Sequence, residues 1–246
     1  MGLKAAPADQ ALLLELQEHD TRLQRIAHQL GSLPETAALA ALDTEGQTLR
    51  RTLAEQTGVL EDAQAELGRV EADVAVVEAR MTRDRERLQS TSSVKDVQAL
   101  EQELDALARR RDELEEIQLV VMERVETHEA TLAGTREALA ALDARIAETA
   151  ADRDASAAAL EQERGNVATD RDTIAGRVPR ELLDLYEKQR ARYGIGASHL
   201  RGGVSVASGV ALTATDLGVV RAAAPDDVLL CPESSAILVR TDESGL

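Results

Sequence analysis

The sequence predicts a mainly α-helical protein: a long antiparallel coiled-coil hairpin over residues 1–176, followed by a small α+β unit over residues 177–246. Three observations predict it. The composition has no Trp, no Phe and only two Tyr, with 30% charged residues. Such a chain lacks the rings that anchor compact cores and has the make-up of long helices. Apolar residues recur in steps of three and four over most of the first 176 positions, the period of a coiled-coil seam. After Gly176 and Pro179 that rhythm stops and short β-like runs separated by glycines replace it.

The first predicted helix covers about 9–30. Leu12, Leu16, His19, Leu23, Ile26 and Leu30 form its seam. Gly31 suits a left-handed helix stop, and Pro34 suits the first turn of the next helix. The second helix, about 35–88, carries Leu39, Leu42, Leu49, Leu53, Leu60, Leu67, Val70, Val74, Val77, Met81 and Leu88 on one track. Gly46, Gln56, Ala63 and Asp84 occupy the track's gaps. The stretch QSTSSVK, 89–95, reads as the turn at the hairpin tip. The third helix, about 96–175, takes up the rhythm from Val97 and Leu100 through Leu142, Ile146 and Leu160 to Val167 and Ile174.

Lengths set the topology. Pairing residues equally far from the turn sets Pro34 opposite Thr149, and residues 9–30 opposite 153–174. The first helix then continues the second along the third. At 1.5 Å per residue the third helix would be about 120 Å long, so the sequence predicts a rod.

In the C-terminal unit a helix is expected over 180–191, with Pro179 as its first residue. Glycines 194, 196, 202 and 203 suggest a flexible linker after it. Strands are expected at 210–212, 228–231 and 236–239, in a sheet of three or four. A helix over about 214–223 is capped by Thr213 with Asp216. Two small-residue turns stand out: Ser-Val-Ala-Ser at 205–208 and Cys-Pro-Glu-Ser at 231–234, with 22 residues between them.

These turns, with VMER at 121–124, LYEKQR at 185–190, RAAAPDDV at 221–228 and CPESSAILVRT at 231–241, carry a resemblance covering nearly the whole chain. It resembles the bacterial C4-type zinc-ribbon proteins with a long N-terminal coiled-coil hairpin. The resemblance implies ligand positions at Ser205, Ser208, Cys231 and Ser234. Structural zinc takes thiolate, imidazole or carboxylate, usually four of them. One Cys and three Ser do not meet that need, so no metal and no other cofactor is expected. His199 and Glu233 add ligands on paper, but their spacing closes no tetrahedron. Serine oxygens can accept the backbone N–H bonds that sulfurs accept in a knuckle, which would preserve the turns. Strands 210–212, 228–231 and 236–239 would then hold the unit without metal.

Charge and residue types narrow the function. The net charge is −17, and residues 177–246 carry 8 Lys/Arg against 9 Asp/Glu. The first 176 residues therefore carry nearly all of it, a field that repels phosphate backbones. No nucleophile–base set or phosphate-binding loop is present, so an enzyme is not expected. His19 and His128 fall on seams, where a polar residue sets register; His28 reads as solvated. A single Cys fits a reducing compartment, and Cys231 reads as a small buried hydrophobe. The start MGLKAAPADQ has no apolar leader run and no Ser or Thr at position 6 for acylation, and no run is long enough to cross a membrane. A cytoplasmic protein is expected, monomeric or homodimeric.

The expected function is a non-enzymatic adaptor or chaperone-like protein that binds a protein partner through the coiled coil and the C-terminal unit. Ser92, Ser93 and Lys95 at the tip are candidate contacts. An alternative is a regulator binding RNA or DNA through the basic segment 177–203, with Arg177, Arg180, Lys188, Arg190, Arg192, Arg201, Tyr186 and Tyr193 as its surface. A third reading is a structural coiled coil that self-associates. The resemblance implies chaperone-like work on an alternative sigma factor, and RNA binding.

Overall fold

A computed structural model describes residues 2–246. The protein is mainly α, with a long helical hairpin and a small C-terminal unit of strands and helices. Its helices are α1 (Pro7–Gly31), α2 (Pro34–Ser90), α3 (Val94–Ala175), α4 (Arg180–Tyr193) and α5 (Ala214–Ala222). Its strands are β1 (Ala197–Arg201), β2 (Val204–Ser205), β3 (Val210–Ala211), β4 (Leu229–Leu230) and β5 (Ile237–Val239). Contacts divide the chain into two compact units. One joins the N-terminal segment up to Thr36 to Asp152–Leu246; the other is Ala37–Ala151. Composition alone placed a boundary at 176 instead.

In the hairpin unit the predicted seam is realised position by position. From Leu39 to Leu88 each seam residue of α2 is buried or half-buried, including Gly46, Gln56, Ala63 and Asp84 in the gaps. A side chain on Gly46 would come within 3.4 Å of the Leu142 side chain, so the glycine lets α3 lie close. Ion pairs across the seam hold the antiparallel register: Arg80 with Glu103, Glu66 with Arg124 at 3.0 Å, and Glu45 with Arg145 at 3.6 Å. The Gly46–Leu142 contact lies about one helical turn beyond the pairing expected from equal distances to the tip. The tip itself is shorter than 89–95, because only Thr91–Ser93 leave the helices. Ser93 caps α3, its Oγ accepting from the Asp96 N–H at 3.4 Å.

In the mixed unit α1 departs from a simple seam. Leu16 and Ile26 are buried as the heptad predicts, but Gln10, Leu13 and Asp20 are buried too, while Leu12, His19, Leu23 and Leu30 are only half-buried. The cause is a second partner. One side of α1 lies along the end of α3, where Arg22 pairs with Glu163 at 2.8 Å. Another packs on α4, β1 and β5, with Leu13, Leu16, Ile174, Leu182, Tyr186 and Ile237 in one core. Gly31 does not take the left-handed cap; it stays helical, and the Ser32 N–H closes the helix on Gln29 O at 3.1 Å. Pro179 is the cap residue before α4 rather than its first residue, and the left-handed stop falls at Gly194, with φ +83°.

A buried charge cluster joins these elements. Asp20, 1% exposed, accepts from the Tyr186 hydroxyl at 2.7 Å, from Arg171 Nε at 2.8 Å and from Arg190 at 3.2 Å. Glu187 accepts from both arginines on the other side. Burial first, then the hydrogen bond to Asp20, pushes the Tyr186 phenol well above its ordinary value. The hydrogen bond to Asp20 likewise raises Arg171. The phenol therefore stays a donor and the guanidinium stays charged. Beside them, Gln17 Oε1 accepts from the backbone N–H of Gly196 at 2.7 Å. A Cβ on Gly196 would fall 2.5 Å from the Tyr186 ring, so only glycine fits there.

The sheet has five strands, in the order β3-β2-β1-β5-β4. β1 and β5 are parallel and the other pairs antiparallel. The expected three or four strands omitted β1, which occupies part of the stretch read as a flexible linker. Its alternation explains the strand: Ala197 joins the core against α1 and α4, whereas Leu200 joins a second core with Leu212, Val220, Cys231 and Leu238. Residues 3–5 are also tied in. Lys4 bridges Asp227, and Val228 donates to Leu3 O at 3.0 Å. Arg240 closes the C-terminal end of α5, donating to Ala223 O at 3.1 Å, Ala224 O at 2.6 Å and Asp227 O at 2.9 Å. The predicted Thr213–Asp216 cap on α5 is present, with Asp216 N donating to Thr213 Oγ1 at 3.2 Å.

Three outcomes follow. Asp20→Ala takes the buried acceptor from the Tyr186 phenol and leaves two guanidinium groups with Glu187 alone, and should cost about 3–5 kcal/mol. A thermal melt followed by near-UV circular dichroism reads it through Tyr186. Ser235 has φ +59° and is the one non-glycine residue with positive φ among the described residues. Ser235→Gly should stabilise by up to about 1 kcal/mol. Gly209→Ala, at φ +66°, should destabilise by a similar amount in the same assay.

Candidate functional site

The two small-residue turns have the same backbone form. In the first, the Gly209 N–H donates to Ser205 O at 2.9 Å; in the second, the Ser235 N–H donates to Cys231 O at 2.9 Å. Each ends on a left-handed residue, Gly209 or Ser235. Ser205 and Cys231 are both buried. Burial pushes the Cys231 thiol up, but hydrogen bonds from the Ser205 and Ser234 hydroxyls and from the N–H groups of Ser234 and Glu233 outweigh it. The thiol therefore lies below its ordinary value. The fold thus brings Ser205, Cys231 and Ser234 together around one sulfur. Ser208 is spent locally: its hydroxyl reaches Ser205 O at 3.5 Å and accepts from Val210 N at 3.3 Å.

Ser198, which the sequence reading did not single out, completes this cluster. Its hydroxyl lies 3.2 Å from that of Ser205 and accepts from Ala207 N at 2.8 Å. The donor set is one thiol and several hydroxyls, which does not fit structural zinc. His199 points to the opposite face of β1 from Ser198, with Nε2 2.9 Å from Thr241 Oγ1. Glu233 is exposed. Among the described residues no group of three or more His, Cys, Asp or Glu is arranged to hold a metal ion.

The basic segment does not form one surface. Tyr186 is fully buried, and Arg190 is held by Asp20 and Glu187. Arg201 pairs with Glu243 at 2.7 Å. Arg177, Arg180, Lys188, Arg192 and Tyr193 are exposed, and the Arg192 guanidinium lies 5.2 Å over the Tyr193 ring. At the tip Ser92 and Lys95 are exposed, while Ser93, also exposed, serves as the cap of α3.

One concave feature of the mixed unit was not foreseen from sequence. It is a cleft of about 810 Å³ between α1, the end of α3, β1 and the first small-residue turn. Leu14, Ile26, Leu160, Ile195 and Val206 supply its apolar lining, and Glu18, Arg22, Arg25, Glu163 and His199 its charged and titratable groups. Val206, on the turn, is 59% exposed. Arg22 is engaged by Glu163. A cleft of this size and mixed polarity fits a ligand or a side-chain cluster of a partner. Sequence periodicity missed it because it lies on the side of α1 away from the heptad. Among the described residues no helix is long and apolar enough to cross a membrane.

Comparison with known proteins gives the same architecture. The chain is 36% identical over 241 residues to the uncharacterized protein Rv2229c of Mycobacterium tuberculosis, covering 98% of each chain. It is 25% identical to the uncharacterized protein ML1638 of Mycobacterium leprae, covering 89% of this chain and 94% of that one. A solved structure from Mycobacterium smegmatis matches with a TM-score of 0.84 at 36% identity, over 97% of this chain and all of that one. CT398 of Chlamydia trachomatis matches in fold, with a TM-score of 0.61 at 18% identity, over 94% of this chain and 97% of that one. The family described as the CT398-like coiled coil hairpin domain matches residues 16–194. A match that runs from α1 through α4, with the hairpin and the Asp20 cluster inside it, makes this chain a member of the CT398-like coiled-coil hairpin family.

Proposed function

We propose that this protein is a non-enzymatic adaptor that holds a protein partner through its mixed unit and its helical hairpin, in the cytoplasm and without a metal. The observation that carries the reading is the cleft of about 810 Å³, whose rim is an exposed valine on a tight, hydrogen-bonded turn. Its polar groups are mostly committed to structure: Gln17 holds the Gly196 N–H, Thr21 bonds back to α1, and Arg22 is paired. That leaves shape and apolar surface as its main means of recognition, with Glu18 and Arg25 as charges that have no ion-pair partner among the described residues. Those are means of binding rather than of bond making.

The C-terminal unit is best read as a zinc ribbon that has dispensed with zinc. Its two equivalent turns around Cys231 support this, and its two apolar cores and the Arg240 cap replace the missing ligation. Nucleic-acid binding is the second reading, favoured by the exposed Lys188, Arg192 and Tyr193 at the end of α4. The burial of Tyr186 and the pairing of Arg190 and Arg201 leave that surface small.

A crosslinked pull-down of the tagged full chain, with and without RNase, tests the adaptor reading. Partners should persist after RNase, and an Arg25→Glu/Val206→Glu variant should recover them about tenfold less. Loss of the partners on RNase treatment would move the function to Lys188, Arg192 and Tyr193. A chelator should leave the melting temperature unchanged. Zinc copurifying at one equivalent, with unfolding on chelation, would sink the metal-free reading.

A further inference from the structure

Residues 117–122 of α3 read IQLVVM. Val121 faces the seam and is 2% exposed, as the heptad requires. Ile117, Leu119, Val120 and Met122 are exposed by 44%, 62%, 57% and 40%. Four large apolar side chains within six residues thus surround the helix on the sides that α2 does not cover. A helix turn that is apolar all round belongs in an interior or an interface. Elsewhere in the hairpin unit the exposed large apolar residues are scattered singly, as Val59, Val76 and Val94.

On α3 the unpaired charges nearest this collar are carboxylates. Glu116, Glu123, Glu126 and Glu129 are exposed and have no ion-pair partner among the described residues. On α3, Arg110 pairs with Glu113, Arg111 with Asp112 and Glu115, and Arg124 with Glu66, while Arg109 and, on α2, Arg69 are exposed and have no ion-pair partner among the described residues. Along the outer face Glu116, Leu119, Val120 and Glu123 follow each other at helix-ridge spacing. The result is an apolar patch between free carboxylates.

We infer that this collar of α3 docks an amphipathic helix of a partner protein, one whose apolar face is flanked by Lys or Arg. The inference rests on the adaptor reading and names a docking surface in the hairpin unit. Charge complementarity selects the occupant. A second copy of this chain is disfavoured, because a two-fold axis between Leu119 and Val120 sets Glu116 of one copy against Glu123 of the other. Nucleic acid is repelled by the same carboxylates. A basic helix meets both needs: ridges of Leu or Ile enter beside Leu119 and Val120, and its cations meet the four free glutamates.

The test is site-specific photocrosslinking in cells of the source organism, with p-benzoylphenylalanine placed in the full chain at Leu119, and separately at Val206 and at Lys95. The expected result is an adduct at 119 whose crosslinked peptide is basic and carries apolar residues at spacings of three and four. A Glu116→Lys/Glu123→Lys variant should reduce that adduct about tenfold. Both glutamates are exposed, so its thermal melt should match the parent. An adduct at 119 to a second copy, to nucleic acid or to an acidic peptide overturns the inference, as does an adduct indifferent to the charge reversal. No adduct at 119 with one at 206 or 95 overturns it and leaves the adaptor reading standing. No adduct at any of the three positions overturns both.

Discussion

The mixed unit depends on one carboxylate. Asp20 is 1% exposed on α1, and its oxygens take donors from α3 and α4 at once. A buried charge is costly unless each of its hydrogen-bonding positions is filled. Here Tyr186, Arg171 and Arg190 fill them, and Glu187 balances the second positive charge. The geometry is demanding, and the demand propagates. Tyr186 must lie flat beneath the start of β1, which requires a glycine at 196. Gln17, one turn before Asp20, then takes the Gly196 N–H and fixes where the sheet begins. A helix from one end of the chain and a sheet from the other are thereby placed by a few atoms. The matched family region, 16–194, begins just before Asp20 and ends just after Arg190.

The C-terminal sheet faces a different difficulty. Its strands are two to five residues long, too short to hold together by pairing alone. Three further devices act together. The paired turns keep their i to i+4 bonds and aim hydroxyl and N–H donors at the Cys231 sulfur. Alternation on β1 and β5 feeds two cores, one on each face. Arg240 gathers carbonyls at the end of α5 that no helix N–H can reach. Glycine would suit position 235 better than serine, yet the strained turn is kept. The surrounding bonds over-determine it.

What the sequence disclosed follows from how many neighbours each element has. α2 has one partner within the hairpin unit, so the heptad alone determines which residues are covered, down to the gap at Gly46. α1 has a helix on one side and a sheet with α4 on another. A single 3-4 track could show only one of these, so Gln10, Leu13, Asp20 and the cleft stayed hidden. β1 was lost for a related reason. ASHLR has little apolar weight and stands between glycines, which read as flexibility when local conformation is all that is considered. In the fold Gly194 stops a helix and Gly196 admits a ring. Tyr186 was placed among surface arginines because its sequence neighbours are charged, but one of them, Arg190, points inward to Asp20 and Tyr186 follows it. The two small-residue turns were legible because they rest on local turn chemistry, each closing with an i to i+4 backbone bond.

The distribution of charge ties these observations to function. In the hairpin unit most arginines are matched within a turn or across the seam, which is how a heavily acidic helix pair limits its own repulsion. Carboxylates left unmatched are therefore an excess rather than a structural necessity. They set the sign of what approaches the chain. The mixed unit works the other way. Residues 177–246 are close to neutral, its strongest charges are turned inward on Asp20, and its cleft mixes apolar groups with polar ones that are mostly paired within the unit. Long-range selection by charge and short-range fit by shape thus reside in different parts of the chain. Such a division fits the adaptor proposed above, which would gather a partner by charge and hold it by shape.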